Sequence, residues 1–255
     1  MTANPAHQTR SLDQVISLVV FALRQNFGDS FPYNGLLDAA TRVATPLYTQ
    51  WHALLAKGMS KEEAANLLVP VAEGAIAFMN DHFNDESGRT VACQKGCGHC
   101  CKGEKISLTW REAKSIAAVL GSMPDEVLQK VQRQAKKGRT KNFKNGLGSP
   151  CALLVDDVCS VYDARPMTCR GLFSSSLDDC LARYKNGTAI SELLYPRAIE
   201  FSFETIVGDY LEVYEMNTIM DFMLKKQQNL AKYVSGELPA PRGLLSRSVS
   251  IKLVN

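Results

Sequence analysis

Eight cysteines, Cys93, Cys97, Cys100, Cys101, Cys151, Cys159, Cys169 and Cys180, fall in the middle of the chain, and both flanks have none. The first four are crowded into CQKGCGHCC, from Cys93 to Cys101. Thiols at this density constrain the local fold more than any other feature. The backbone must gather them around a metal, join them in disulfides or present them as redox groups. Gly96 and Gly98 let the first segment curl until several sulfurs turn toward one point, as tetrahedral zinc or an iron–sulfur cluster requires. The side chains of the adjacent Cys100 and Cys101 diverge. Either they serve different centres, or one binds metal while the other packs or stays reactive. The second segment, C-x7-C-x9-C-x10-C from Cys151 to Cys180, says little by itself. Beside the first it supplies the further thiols that one or two closed sites need.

Composition narrows the alternatives. A chain of 255 residues, 45% of them apolar, can bury a core without disulfides. The start, MTANPAHQTRSLDQ, shows no apolar stretch behind a basic end, and no run of 18 apolar residues occurs anywhere. The expectation is a soluble, cytoplasmic protein with no membrane association. In a reducing compartment, clustered cysteines are read as metal ligands or redox groups rather than a disulfide framework. A net charge of +3, from 29 basic and 26 acidic side chains, is too balanced to demand a polyanionic partner. The basic residues are uneven, however. Lys130, Arg133, Lys136, Lys137, Arg139, Lys141 and Lys144 lie in a stretch without Asp or Glu. This stretch reads as a solvated helix end running into a polar loop, or as a docking patch for nucleic acid or an acidic protein. The partner itself, protein or small molecule, is not legible.

The flanks read as helices. Apolar residues at Leu12, Val15, Ile16, Val19, Val20 and Leu23 give a buried face over Leu12 to Phe27. Gly35 to Lys57 forms a second helix, which Pro46 kinks or divides. Ser60 and Glu63 make a capping box for a third, running to about Phe83 with Pro70 inside it. NDESGRT, Asn84 to Thr90, breaks the pattern before Cys93. Beyond the first cysteines, Thr109 and Glu112 cap a helix over Arg111 to Gly121, and another follows from Pro124 to about Lys137. GRTKNFKNGLGSP is a loop, and Ala152 to Val155 is a short strand or a buried extended segment. Ala198 to Lys225 reads as one last helix, and the tail from Ser235 is rich in Pro, Gly and Ser. The fold class is therefore mainly α, a helical scaffold carrying a cysteine-rich, loop-dominated metal-binding region. The divisions are 1–90, an N-terminal helical part, 91–182, the cysteine-cluster region, and 183–255, a C-terminal helix and tail. The last packs with the N-terminal part as one unit.

CQKGCGHCC together with CALLVDDVCSVYDARPMTCR resembles the YkgJ-like cysteine-cluster family, which is described as a zinc- or iron-chelating domain. Its pattern of C-x3-C-x2-CC, a later cysteine, a short apolar run, another cysteine, and an aromatic residue before RP-x2-CR is met by Cys93, Cys97, Cys100, Cys101, Cys151, Cys159, Tyr162, Arg165, Pro166, Cys169 and Arg170. The resemblance covers roughly Cys93 to Cys180 and implies a zinc or iron cofactor without naming a reaction. A related arrangement occurs in flagellin lysine methylases, iron–sulfur proteins that use S-adenosylmethionine. The bare C-x3-C-x2-C spacing is also similar to the radical S-adenosylmethionine signature, in which three cysteines bind a 4Fe-4S cluster. This chain has no alternating series of strands and helices for a barrel, and Cys101 and the downstream cysteines can close a cluster's fourth position.

Two functions follow as expectations. The first is a metal-binding protein whose iron–sulfur (4Fe-4S) or zinc centre, held by the eight cysteines, has a structural, binding or electron-transfer role. The alternative is an S-adenosylmethionine-dependent metalloenzyme of methylase type, with no catalytic residue identifiable. Arg165, Arg170, Lys95 and Lys102 are available to balance thiolate charge. Arg165 has the competing option of pairing with Asp156, Asp157 or Asp163. Tyr162 reads as packing, and His99 as a neighbour of the ligands or a surface residue. His52 and His82 read as surface or packed residues, and Asp156, Asp157, Asp178 and Asp179 as turn and cap residues. Phosphate-loop, dinucleotide, zincin and serine-elbow fingerprints are absent from the sequence.

Overall fold

The structure, a computed structural model, describes residues 10–28, 32–82, 92–93, 97–102, 106–139, 149–186, 194–207 and 213–244. The break at Asn84 to Thr90, Lys95, Gly96, Lys141, Lys144, most of the loop before Pro150 and the end of the tail lie outside these residues, as does the His82 side chain. The helices are α1 (Leu12–Phe27), α2 (Tyr33–Ala56), α3 (Lys61–His82), α4 (Trp110–Leu120), α5 (Asp125–Arg139), α6 (Met167–Gly171), α7 (Leu177–Asn186), α8 (Leu194–Val207), α9 (Met216–Leu224) and α10 (Leu230–Ser235). The strands are β1 (Ser107–Thr109), β2 (Leu154–Val155), β3 (Val158–Cys159) and β4 (Val213–Glu215). The scaffold is thus mainly α-helical. Among the described residues no helix is long and apolar enough to cross a membrane.

The chain divides into two compact units, 1–79 with 194–211, and 80–193 with 212–255. In the first, α1, α2 and α8 pack on one another. The helix α1 starts where expected because Ser11 and Gln14 satisfy each other's backbone donors: the Gln14 N–H reaches Ser11 Oγ at 3.3 Å, and the Ser11 N–H reaches Gln14 Oε1 at 2.9 Å. Its buried face is Val15, Val19, Val20 and Leu23. Pro46 lies inside α2, which continues through it to Ala56 and buries Leu36, Ala44, Leu47 and Trp51 on one side. The Ser60–Glu63 box opens α3, with the Ser60 N–H donating to Glu63 Oε2 at 2.9 Å and the Glu63 N–H to Ser60 Oγ at 3.2 Å.

The second unit carries the cysteines together with α9 and α10. One expectation fails here, because Ala198 to Lys225 is not one helix. It is α8, then the strand β4, then α9. The β-branched and aromatic pair Val213 and Tyr214 is suited to extended backbone, and β4 pairs antiparallel with β1 in the register Ser107↔Glu215, Leu108↔Tyr214 and Thr109↔Val213. Tyr214 is wholly buried, with the Trp110 ring 6.0 Å away. Helical periodicity could not reveal this pairing, since its partner strand lies about a hundred residues earlier.

A closer contact joins α5 to α9. A Cβ on Gly138 would lie 2.7 Å from Asn217 Cγ, so only glycine fits while Asn217 keeps its place. Asn217 is buried. Its Oδ1 accepts the Ala152 N–H at 2.7 Å, and its Nδ2 donates to the Pro150 carbonyl at 3.3 Å. One amide thus grips the backbone on both sides of Cys151. Asn217→Ala leaves the Ala152 N–H without its partner, which costs about 1–3 kcal/mol. Gly138→Ala displaces the same amide, at a cost of about 1–3 kcal/mol. The two effects overlap, so in urea unfolding the double variant is expected to lose clearly less stability than the sum of the two. Full additivity would show that Gly138 does not act through Asn217.

Candidate metal centre

The first cysteine segment is held at both ends by backbone hydrogen bonds. The Ala92 N–H donates to the Ser174 carbonyl at 2.9 Å, and the Cys101 carbonyl accepts the Cys151 N–H at 2.7 Å. Between them, Cys100–Lys102 forms one turn of 3₁₀ helix. Gly98 packs against the β2–β3 hairpin, where a Cβ would sit 2.5 Å from both the Asp157 carbonyl oxygen and Leu154 Cδ1. Glycine is therefore required here for close approach rather than for a special dihedral.

The hairpin itself is a two-residue turn with Asp156 at φ 51° and Asp157 at φ 65°, the left-handed pair that a type I′ turn needs and that aspartate tolerates. It pairs Leu154 with Cys159 and Val155 with Val158. Lys130 binds Asp156 and Lys102 binds Asp157, each at 2.8 Å. The Lys102 hydrogen bond holds the Asp157 carboxyl below its ordinary value. Both carboxylates are exposed, so these pairs orient the tip more than they stabilise it.

The chain from Cys159 to Cys169 is organised by arginines and by a distant glutamate. Arg165 donates from Nε to the Tyr162 carbonyl at 3.0 Å and lies over the Tyr162 ring at 3.6 Å. Arg170 donates from Nε to the Arg165 carbonyl at 2.8 Å and from Nη2 to the Asp163 carbonyl at 2.7 Å. Glu112, buried in the first turn of α4, accepts the Thr109 N–H at 2.7 Å and the Thr109 hydroxyl at 2.9 Å on Oε2. Its other oxygen accepts the Met167 N–H at 2.7 Å. The carboxylate thus both caps α4 and anchors the start of α6, which carries Cys169. Beyond α6, the Asp179 N–H reaches Ser176 Oγ at 3.2 Å and caps α7, which carries Cys180 in its first turn.

All eight cysteines are free thiols. Cys101 hydrogen-bonds with Cys100, Cys151 and Cys159. Cys169 lies in the electrostatic field of Cys100 and Cys159, Cys93 in that of Cys180, Cys97 and Cys100, and Cys180 in that of Cys97 and Cys100. Among the described residues, no three Cys, His, Asp or Glu side chains already surround one point at the spacing of a bound ion. The fold gathers the sulfurs into neighbourhoods, not into a finished coordination sphere.

The surroundings tune the thiols differently. Burial pushes Cys93 up to about 11, against the lowering by the Ser174 backbone N–H, which reaches the Cys93 sulfur at 3.4 Å. Burial also raises Cys169 and Cys180. For Cys101 the hydrogen bond with Cys100 lowers the value, but those with Cys151 and Cys159, together with burial, outweigh it and the net shift is upward. Cys159 moves down to about 7, because the Cys101 hydrogen bond, the Val161 backbone N–H and Arg165 together overcome burial. Backbone N–H donors to sulfur and a nearby guanidinium are the environment in which buried thiolate ligands are stable. The chemistry of this donor set fits zinc or iron.

The other residues singled out in the sequence divide clearly. Arg165 lowers both Cys159 and Cys169, whereas Arg170 serves backbone carbonyls and Lys102 is engaged by Asp157. Asp156 and Asp157 form the turn, and Asp178 and Asp179 stand in the first turn of α7. His99 is close enough to Asp157 to help lower its carboxyl, and the His52 ring lies 4.2 Å from that of Tyr48, tilted by 48°, on α2 in the other unit. Three contributors were missed by sequence reading: Asn217, Ser174 and the second oxygen of Glu112. The Thr109–Glu112 capping box was a visible signal for half of the last.

Residues 92–187 match the family model CxxCxxCC, described as "Putative zinc- or iron-chelating domain". A cysteine-cluster domain of that kind is present over this part of the chain. No curated protein and no solved structure matches the chain.

Removing Glu112 tests the anchoring. Glu112→Ala removes the side-chain half of the α4 capping box and leaves the buried Met167 N–H unpaired, for a loss of about 2–4 kcal/mol. Glu112→Gln keeps a capping group but presents one acceptor where two are used, so its loss should be intermediate. Chemical denaturation in which the two variants are equally stable would rule out the Met167 contact as a contributor.

Proposed function

We propose that this chain is a metal-binding protein whose eight cysteines hold zinc or an iron–sulfur cluster in a structural, binding or electron-transfer role. The observation that carries this reading is the gathering of all eight free thiols, from two segments far apart in sequence, within one unit of the fold. The family match over residues 92–187 supports it. When bound, zinc supplies a rigid tetrahedral cross-link, and an iron–sulfur cluster supplies an electron couple as well. The residues of the chain provide the rest. Ser174 and Val161 aim N–H groups at sulfur, Arg165 offsets thiolate charge, and Glu112 and Asn217 hold the backbone around Cys169 and Cys151.

Anaerobic purification, followed by absorption spectroscopy and by iron, sulfide and zinc counts on one sample, tests the reading. Stoichiometric metal is expected in the wild type, with a marked loss in Cys97→Ala/Cys100→Ala. A colourless protein with zinc and negligible sulfide selects zinc, while matching iron and sulfide select the cluster. Folded, metal-free wild type with eight titratable thiols would overturn the proposal.

Metal removal has a local consequence too. The cross-link closes loops between Cys93 and Cys180, while each unit keeps an apolar core of its own. Chelator should therefore raise hydrogen exchange first in residues 92–102 and 149–182, with α1 and α2 unchanged. Unchanged exchange there after verified metal loss would remove the structural role.

A further inference from the structure

The backbone around the eight thiols has two sides. On one, Cys101 and Cys151 are joined peptide to peptide at 2.7 Å. The Cys151 carbonyl in turn accepts the Leu154 N–H at 3.1 Å, and Leu154 is the ladder partner of Cys159. Cys101, Cys151 and Cys159 are all buried in the same apolar cluster, against whose edge Cys100 and Cys169 also pack. Arg165 affects both Cys159 and Cys169 and is the positive group common to this side.

On the other side, Ser174 ties Cys93 to the approach of α7. It accepts the Ala92 N–H on its carbonyl, offers its own N–H to Cys93 Sγ at 3.4 Å, and receives the Ser176 N–H on its hydroxyl at 3.1 Å. Ser176 then caps α7, whose first turn presents Cys180, and α7 packs on the Cys100–Lys102 turn. Successive residues of a 3₁₀ helix are about 120° apart around the axis. Cys100 and Cys101 therefore cannot point the same way: Cys101 is buried in the cluster, while Cys100, packed at its edge, stands on the turn that α7 packs against.

Resting on the metal-binding reading above, we propose that the chain holds two four-thiolate centres, one formed by Cys93, Cys97, Cys100 and Cys180 and the other by Cys101, Cys151, Cys159 and Cys169. The Cys100–Cys101 peptide is the boundary between them. Each centre takes thiols from both cysteine segments, so each cross-links the same two segments independently. The first draws on Ser174 for its hydrogen bonds, and the second on Arg165 and Val161.

The division is tested on full-length protein with bound metal. Relative to wild type, Cys97→Ala/Cys180→Ala and Cys151→Ala/Cys159→Ala should each keep about half of the metal, and the variant combining all four changes should keep none. Because such variants could misfold, the wild type is also followed directly. Metal is withdrawn stepwise by chelator, exposed thiols are alkylated, and the modified cysteines are mapped by mass spectrometry. An intermediate with four alkylated cysteines belonging to one of the two sets supports the division. All-or-none exposure of eight thiols, or an intermediate mixing the sets, overturns it while leaving the metal-binding reading intact. Metal-free wild type overturns both.

Discussion

The hydrogen bond from the Cys151 N–H to the Cys101 carbonyl is the joint on which the cysteine region depends. It fastens two segments separated by α4 and α5, and it does so at the residues that carry sulfur. A backbone contact of this kind holds only if both strands of the joint are themselves held. Asn217 supplies that constraint on one side by gripping Pro150 and Ala152. Gly98 supplies it on the other, by letting the first segment lie directly on the hairpin backbone.

Among the described residues, two buried polar side chains that hold the backbone of this region, Glu112 and Asn217, are each used more than once. Glu112 serves a helix start with one oxygen and a distant peptide with the other. Asn217 both accepts and donates. Multiple use is what makes such groups tolerable in an apolar setting, since a buried carboxylate or amide with unfilled hydrogen-bonding capacity costs more than the fold recovers from it. It also explains why the sites of α6 and Cys151 are coupled to helices far away in sequence.

Electrostatics around the thiols follow the same economy. Gathering eight sulfurs raises most of the thiols whose shifts are resolved, through burial and mutual repulsion, and only Cys159 is drawn down. Among the described residues, positive charge is supplied sparingly. Arg165 lies over the Tyr162 ring and acts on Cys159 and Cys169 together, while Lys102 and Lys130 are occupied at the hairpin tip. A region so arranged is poorly suited to hold eight charged sulfurs unaided.

Local regularities were legible from residues alone. The amphipathic face of α1, the capping boxes at Ser60 and Thr109, and the clustering of cysteines all depend on neighbours within a turn or two, and the mainly helical scaffold follows from them. Pairings between distant residues were not legible. The strand β4 was hidden inside an apparent helix because its partner β1 is remote, and the Gly138–Asn217 contact has no local signature. Cys100 and Cys101 show the division most clearly: adjacency alone requires their side chains to diverge, since successive side chains on any regular backbone point apart. Which neighbours each one meets was decided only when the tertiary fold brought α7 and the Cys151 to Cys159 segment against a single 3₁₀ turn.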